Sequence, residues 1–418
     1  MGKDVINSFL LAKLDNNLLF YGGKRMKKTL YIAIVSLVVA TLTGQSNFTY
    51  AESVEKDPAL NLTENAQASI LLERDTGQVL YEKNAHEPLA PASLTKIMTL
   101  LLVMEAVDHN VINKDEKITI SERAASMGGS QVFLDVGEEM SVDDLIKAIA
   151  IASANDASVA LAERLAGSEA AFVKMMNDKA EQLQLENTLF QNASGLPAEN
   201  HFTTAYDIAI MSRELLKYED ITNYTSIYED YLRQGEDNEF WLVNTNRLVR
   251  FYDYVDGLKT GYTKDAQFCL AATAKKDNMR VVSVIMGAES SKERNAMTMN
   301  LIDYAFAHYE TEKVYEKGSL IGKYKHIQSE QYEYPLKTSE PISILHKKGE
   351  SELSYQTKVN VIENEALPIK QGLQLGSIVI QAEDKAIIES PIYAEEPIEL
   401  ASLFKLMKRS LKMMTKYE

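Results

Sequence analysis

Strand-like runs at both ends of a long helical block constrain this chain more than any other feature. Ser69 to Glu73 and Gln78 to Glu82 flank the turn Asp75-Thr76-Gly77 and read as a hairpin. Similar runs return far downstream, near Val255 to Tyr262, Phe268 to Ala274 and Arg280 to Met286, with Lys276-Asp277-Asn278 as a turn. Between them, from Ser141 to Leu216, the apolar spacing is helical. A sheet assembled from both ends of a helical block is an α+β arrangement, predicted over residues 60–310 and closed by a helix from Glu293 to Tyr309. Pro91 suits a first helical position. The nearly continuous apolar run from Ser93 to Val107 predicts a helix buried on most sides.

Beyond residue 311 the texture changes. Short alternating segments such as Ser343-Ile344-Leu345, Thr357 to Val361 and Ser377 to Gln381 lie between Gly, Pro and charged turns, which predicts a small all-β domain over 311–400. A length of 418 residues suits two or three domains.

The two ends read differently again. Lys24, Arg25, Lys27 and Lys28 precede an apolar run of 13 residues, Leu30 to Leu42, and a small-residue exit at Thr49-Tyr50-Ala51. That pattern predicts a secretory signal peptide within a leader of residues 1–51, because a membrane span needs roughly 20 apolar residues. Met26 makes a more ordinary start than Met1. At the other end, Ala401 to Glu418 placed on a helix puts Leu403, Phe404, Leu406, Met407, Leu411, Met413 and Met414 in one half-circle. Lys405, Lys408, Arg409, Lys412 and Lys416 fall opposite, the pattern of a helix lying in a membrane interface. The chain therefore reads as exported and held peripherally on the outer face of the cytoplasmic membrane.

Charge supports this division. The chain carries 44 Lys and Arg against 60 Asp and Glu, a formal −16, which argues against a nucleic-acid partner. The leader is net basic and the tail is net basic, so the body between them is more acidic than the total. The single cysteine, Cys269, excludes an intramolecular disulfide framework and any multi-cysteine zinc site. The six histidines are scattered, and no metal or other cofactor is expected. Cys269 reads as a buried structural thiol and Trp241 as an ordinary packed tryptophan.

Three short motifs carry chemistry. Ser93-Leu94-Thr95-Lys96 is a Ser-x-x-Lys at a helix start, where the Lys96 amine can reach the Ser93 hydroxyl and act as its base when neutral. The same spacing recurs at Ser53 and Ser402, so context must choose. Ser153-Ala154-Asn155 is the chain's one Ser-x-Asn. Lys259-Thr260-Gly261 is its one Lys-Thr-Gly, at the end of a strand-like run where glycine lets a substrate lie against the backbone. In this order the three form the signature of penicillin-binding proteins and class A β-lactamases.

The surroundings resemble the serine-type D-Ala-D-Ala carboxypeptidases, the low-molecular-mass penicillin-binding proteins. The stretches that carry the resemblance are Pro91 to Thr99, Ser153 to Ala157, Asn187 to Leu196, Asn244 to Leu248 and Val255 to Thr263. The resemblance implies a transpeptidase-type domain, an antiparallel sheet plus a helical subdomain, then a β-rich domain and an amphipathic anchor. It implies that Ser93 attacks the carbonyl between two terminal D-alanines of a peptidoglycan stem peptide, and that β-lactams acylate Ser93. Lys96 would be the base, Ser153 a proton relay and Asn155 the group that orients Lys96 and the substrate amide. Lys259 and Thr260 would hold the substrate carboxylate beside Gly261, and the backbone N–H groups of Ser93 and Tyr262 would form the oxyanion hole. Arg294 is a weaker match, a second positive charge or a plain surface arginine.

Two other readings share these motifs. A class A β-lactamase needs Glu-x-x-Leu-Asn between the second and third motifs. Glu186-Asn187-Thr188-Leu189-Phe190 begins that pattern and departs from it at Phe190. A non-catalytic wall-binding or antibiotic-sensing module would not need the full set of catalytic side chains.

Overall fold

The computed structural model describes residues 60–350, 354–363, 365–382 and 385–414; the predicted leader lies outside the described residues. Strands β1 (Ala68–Glu73) and β2 (Val79–Lys83) form the expected hairpin. Two short antiparallel pairs follow, β3 (Lys117–Thr119) with β4 (Glu139–Ser141), and β5 (Glu229–Leu232) with β6 (Phe240–Val243). The downstream strands are β7 (Val255–Thr263), β8 (Gln267–Lys276) and β9 (Met279–Ala288). β1 pairs with β9, giving a five-stranded sheet in the order β2-β1-β9-β8-β7. The N-terminal hairpin thus zips onto the C-terminal strands, and β7 is left as an edge.

Both sheet faces are buried. Ile70 and Leu72 of β1, with Ala271 of β8 and Val284 of β9, face a core shared with the helical block. Leu71, Leu270 and Ile285, one residue out of phase, face a second core closed by Met297, Leu301 and Ile302 of the helix Ser291–His308. A period of two along a strand produces this division. The helical block contains Lys96–Asp108, Val142–Ala152, Asn155–Ala166, Glu169–Gln182 and Ala205–Leu215. Ser141, Ser168, Thr204 and Ser290 each accept a backbone N–H three residues on, so each of the longer helices that they open is capped by a side chain. Such a cap contributes about 1 kcal/mol.

Two local expectations need correction. Ser93 lies on a 3₁₀ turn, Ala92–Thr95, and the α-helix begins only at Lys96; Pro91 precedes the turn. The turn is tight because Ala92 takes φ +47°, which starts the chain in a left-handed conformation that regular helix cannot use. Trp241 is not packed: it is 55% exposed on β6, opposite the exposed Tyr231 across the β5–β6 pair.

The helix ending at His308 runs straight into the strand Tyr309–Tyr315, where a second set of antiparallel strands begins. These strands enclose a core of their own, including Tyr324, Leu336, Ile344, Ile378 and Ile392. Polar contacts tie them to the first domain: Ser343 Oγ donates to Asp75 Oδ2 at 2.8 Å, and Lys217 pairs with Glu340 at 2.7 Å. The tail forms the helix Leu403–Met414. No helix among the described residues is long and apolar enough to cross a membrane.

Candidate active site

The site is built where a strained turn, a helix break and an edge strand meet. The turn carries Ser93, which is half-buried, and leads into the helix that carries Lys96, fully buried. The helix break lies at Ser153. That residue takes φ +64° and ends Val142–Ala152, and Asn155 opens the next helix. A continuous helix would carry the two side chains around its axis. The break separates them, and Asn155 reaches Lys96 from the start of the second helix. A non-glycine residue in the left-handed region costs about 1–2 kcal/mol, strain characteristic of functional sites.

Lys96 Nζ lies 3.2 Å from Ser93 Oγ, 2.7 Å from Asn155 Oδ1 and 2.5 Å from the carbonyl oxygen of Ser194. Asn155 is itself fixed, since its Nδ2 donates to the Gly128 carbonyl at 2.6 Å. That bond also settles which amide atom faces Lys96. Burial holds the Lys96 amine well below the usual lysine range; nearby Lys259 lowers it further, and Asp156 partly opposes them. The Ser153 hydroxyl is buried with no hydrogen-bond partner among the described residues, although most buried hydroxyls have one.

β7 supplies the opposite wall. Lys259 is buried and donates to the Thr260 carbonyl at 3.0 Å, and Thr260 Oγ1 donates to Thr245 Oγ1 at 2.8 Å. Burial first, and the charge of Arg294 second, pull the Lys259 amine down to about 7. Gly261 is where β7 approaches the Ser93 turn. A Cβ there would meet Ala92 Cβ, the Pro91 carbonyl and Ser93 N, each at 3.2 Å. Tyr262 is exposed and its ring packs on Phe268, with centroids 4.5 Å apart. The Cys269 thiol is free and buried, as expected, and burial pushes it up to about 11.

Arg294 is not a surface residue. It is 6% exposed behind β8, with Nη1 donating to the Cys269 carbonyl at 3.5 Å and Nη2 to Asn295 Oδ1 at 2.8 Å. Its charge is the second cause, after burial, of the lowered Lys259 amine. Glu186, the residue a class A β-lactamase reading would need, is exposed, and Thr188 bonds Thr203 and Asp207.

The loop 190–196 has no role that its side chains announce, though its residues belong to the resemblance. Asn192 Oδ1 accepts the backbone N–H groups of Ser194, Gly195 and Leu196 at 3.2, 2.7 and 3.2 Å. This wraps the loop so that the Ser194 carbonyl points at Lys96. The Asn-x-Ser-Gly string is visible in the sequence; a carbonyl's direction has no residue signature.

Residues 52–290 match the family described as D-alanyl-D-alanine carboxypeptidase, and residues 309–400 match the C-terminal domain of penicillin-binding protein 5. The chain is 49% identical over 395 residues to the D-alanyl-D-alanine carboxypeptidase DacF of Bacillus subtilis, covering 94% of this chain and 100% of that protein. Among solved structures, penicillin-binding protein 5 of Haemophilus influenzae aligns with TM-score 0.62 at 29% identity, over 80% of this chain and 98% of that one. The ampicillin-bound form of penicillin-binding protein D2 from Listeria monocytogenes aligns with TM-score 0.53 at 33% identity, over 59% of this chain and 100% of that one.

Proposed function

The chain belongs to the D-alanyl-D-alanine carboxypeptidase family, and we propose that it removes the terminal D-alanine from peptidoglycan stem peptides through an acyl-enzyme on Ser93. It is a serine hydrolase of the penicillin-binding type, acylated by β-lactams.

The observation that carries the assignment is the surroundings of Lys96. A neutral amine has two N–H bonds and one lone pair. The Asn155 side-chain oxygen and the Ser194 carbonyl can only accept, so they take the two N–H bonds and leave the lone pair to Ser93 Oγ at 3.2 Å. Burial without a carboxylate in contact favours the neutral amine. Lys96 then takes the Ser93 proton as Oγ bonds to the scissile carbonyl carbon.

The carbonyl oxygen, becoming negative, is received by the backbone N–H groups of Ser93 and Tyr262, which Gly261 allows to converge. Collapse of the tetrahedral adduct expels D-alanine. The leaving amine needs a proton, and the unpartnered Ser153 hydroxyl relays it from the Lys96 ammonium. Water then hydrolyses the ester, returning Ser93 and releasing the shortened peptide. Lys259 and Thr260 hold the carboxylate that distinguishes a chain end from an internal peptide, and the buried charge of Arg294 adds only to the positive potential there. The edge of β7 accepts the extended substrate as an added strand.

Residues 60–310 form the catalytic unit in this reading, 311–400 a spacer domain, and the tail a peripheral contact with the cytoplasmic membrane's outer face, following export by the leader. The decisive measurement is D-alanine release from a peptide ending in D-Ala-D-Ala by the parent and by Ser93→Ala. Release by the parent alone is expected, with a β-lactam leaving a slowly hydrolysed adduct on Ser93. Equal release by both proteins would remove Ser93 from its role, and fast penicillin turnover would favour a β-lactamase.

A further inference from the structure

His201 lies outside the three motifs, yet it joins the two pieces of chain that hold Lys96. It is buried, and its Nε2 stands 2.9 Å from Thr95 Oγ1, on the turn between Ser93 and Lys96. On the other side of the ring, Gln191 N donates to Nδ1 at 3.3 Å, and Asn192 Nδ2 lies 3.5 Å away. Phe190 packs edge-on against the imidazole, with centroids 6.0 Å apart.

These contacts fix the ring's protons. A backbone N–H can only donate, so Nδ1 carries no proton, and the neutral ring must carry its one proton on Nε2, directed at Thr95. Burial pulls the imidazole down to about 4, which keeps it in this single form at neutral pH. Asn192 holds the loop downstream of Gln191, and that loop aims the Ser194 carbonyl at Lys96. Thr99 Oγ1 donates to the Ala193 carbonyl at 2.7 Å, closing the far end of the same seam.

We propose that His201 is a positioning residue for acylation, a clamp that keeps the Ser194 carbonyl in register with Lys96 through Thr95 on one side and Gln191 on the other.

The clamp rests on the assignment of Ser93 and Lys96 to acylation, and the experiment separates the two. Acylation by a β-lactam is followed in the full chain at several drug concentrations, giving the binding constant of the encounter complex and the rate constant of the covalent step. An unreactive parent would fail the Ser93 assignment itself. With a reactive parent, His201→Ala is expected to slow the covalent step about tenfold or more, because small displacements of reacting groups are costly, with binding within about twofold of the parent. His201→Gln offers an N–H to Thr95 and an oxygen to Gln191, and should recover most of the rate. If His201→Ala does not fold, Thr95→Val breaks the same link at nearly constant volume, with the same slowing expected. A covalent step at the parent rate in His201→Ala or in folded Thr95→Val would overturn the clamp. Equal slowing by Gln and Ala would overturn it too.

Discussion

Gly195 lies so close to Ala92 that a Cβ on the glycine would stand 1.8 Å from the Ala92 carbonyl oxygen. Gly195 also takes φ +85°, a conformation that side chains disfavour. The loop that aims the Ser194 carbonyl is therefore seated directly on the turn that carries Ser93. Gly195→Ala must push the two apart. We expect acylation by a β-lactam to slow at least about a hundredfold, and the melting temperature to fall by several degrees. An acylation rate close to that of the parent would contradict this seating.

Lys259 predicts an alkaline limb in the pH profile. With its amine at about 7, the free enzyme carries the cation below that pH and loses it above. The ratio kcat/KM for a peptide carboxylate should therefore fall as pH rises through about 7, since this ratio reports groups of the free enzyme. Removing the Arg294 charge takes away one of the two influences that lower Lys259. In Arg294→Gln the limb should move to higher pH, and an unmoved limb would show that Arg294 does not act on Lys259.

Asn155 predicts a shift of the opposite limb. Its side-chain oxygen accepts from Lys96 at 2.7 Å while its Nδ2 donates to Gly128. In Asn155→Asp, a carboxylate beside Lys96 favours the ammonium and raises its pKa, and an oxygen faces the Gly128 carbonyl. The acid limb of the acylation rate should move to higher pH, with a loss of about a hundredfold near neutral pH. An unchanged limb would mean that Lys96 is not the base.

These residues differ in how far the sequence reveals them. Ser93, Lys96, Asn155 and Lys259 are legible because side chains of defined chemistry recur at defined spacing. The sheet is legible because its strands are long enough to show their pattern. β3 and β4 span three residues each, too short for a period of two to register. His201 is one of six scattered histidines, and only the tertiary fold brings it to Thr95. Trp241 shows the reverse case: an aromatic side chain tells what could be buried, and the hairpin's outward face decides that it is not. Arg294 is ambiguous in sequence because burial of a cation depends on acceptors, here a strand carbonyl and Asn295, that spacing does not locate.

The tail helix gives a prediction of a different kind. Leu403, Phe404, Met407 and Leu411 are all exposed, while the opposite side is engaged by the second domain. Arg409 Nη1 donates to the carbonyls of Ile327 at 2.5 Å and Ser329 at 3.0 Å, and Lys405 pairs with Glu330. The helix is thereby held with its apolar side outward, and two of its cations are already committed to protein acceptors. Retention on a membrane should then depend more on apolar insertion than on charge. Deleting residues 401–418 should leave peptide hydrolysis in solution within about twofold of the parent. It should lower the bound fraction on anionic vesicles at least about tenfold, since each buried side chain of this size contributes roughly 1.5–3 kcal/mol. Replacing Phe404 and Leu411 by Ser should release the protein nearly as well as the deletion, with the charge unchanged. Vesicle binding that survives both changes would assign the contact to another surface.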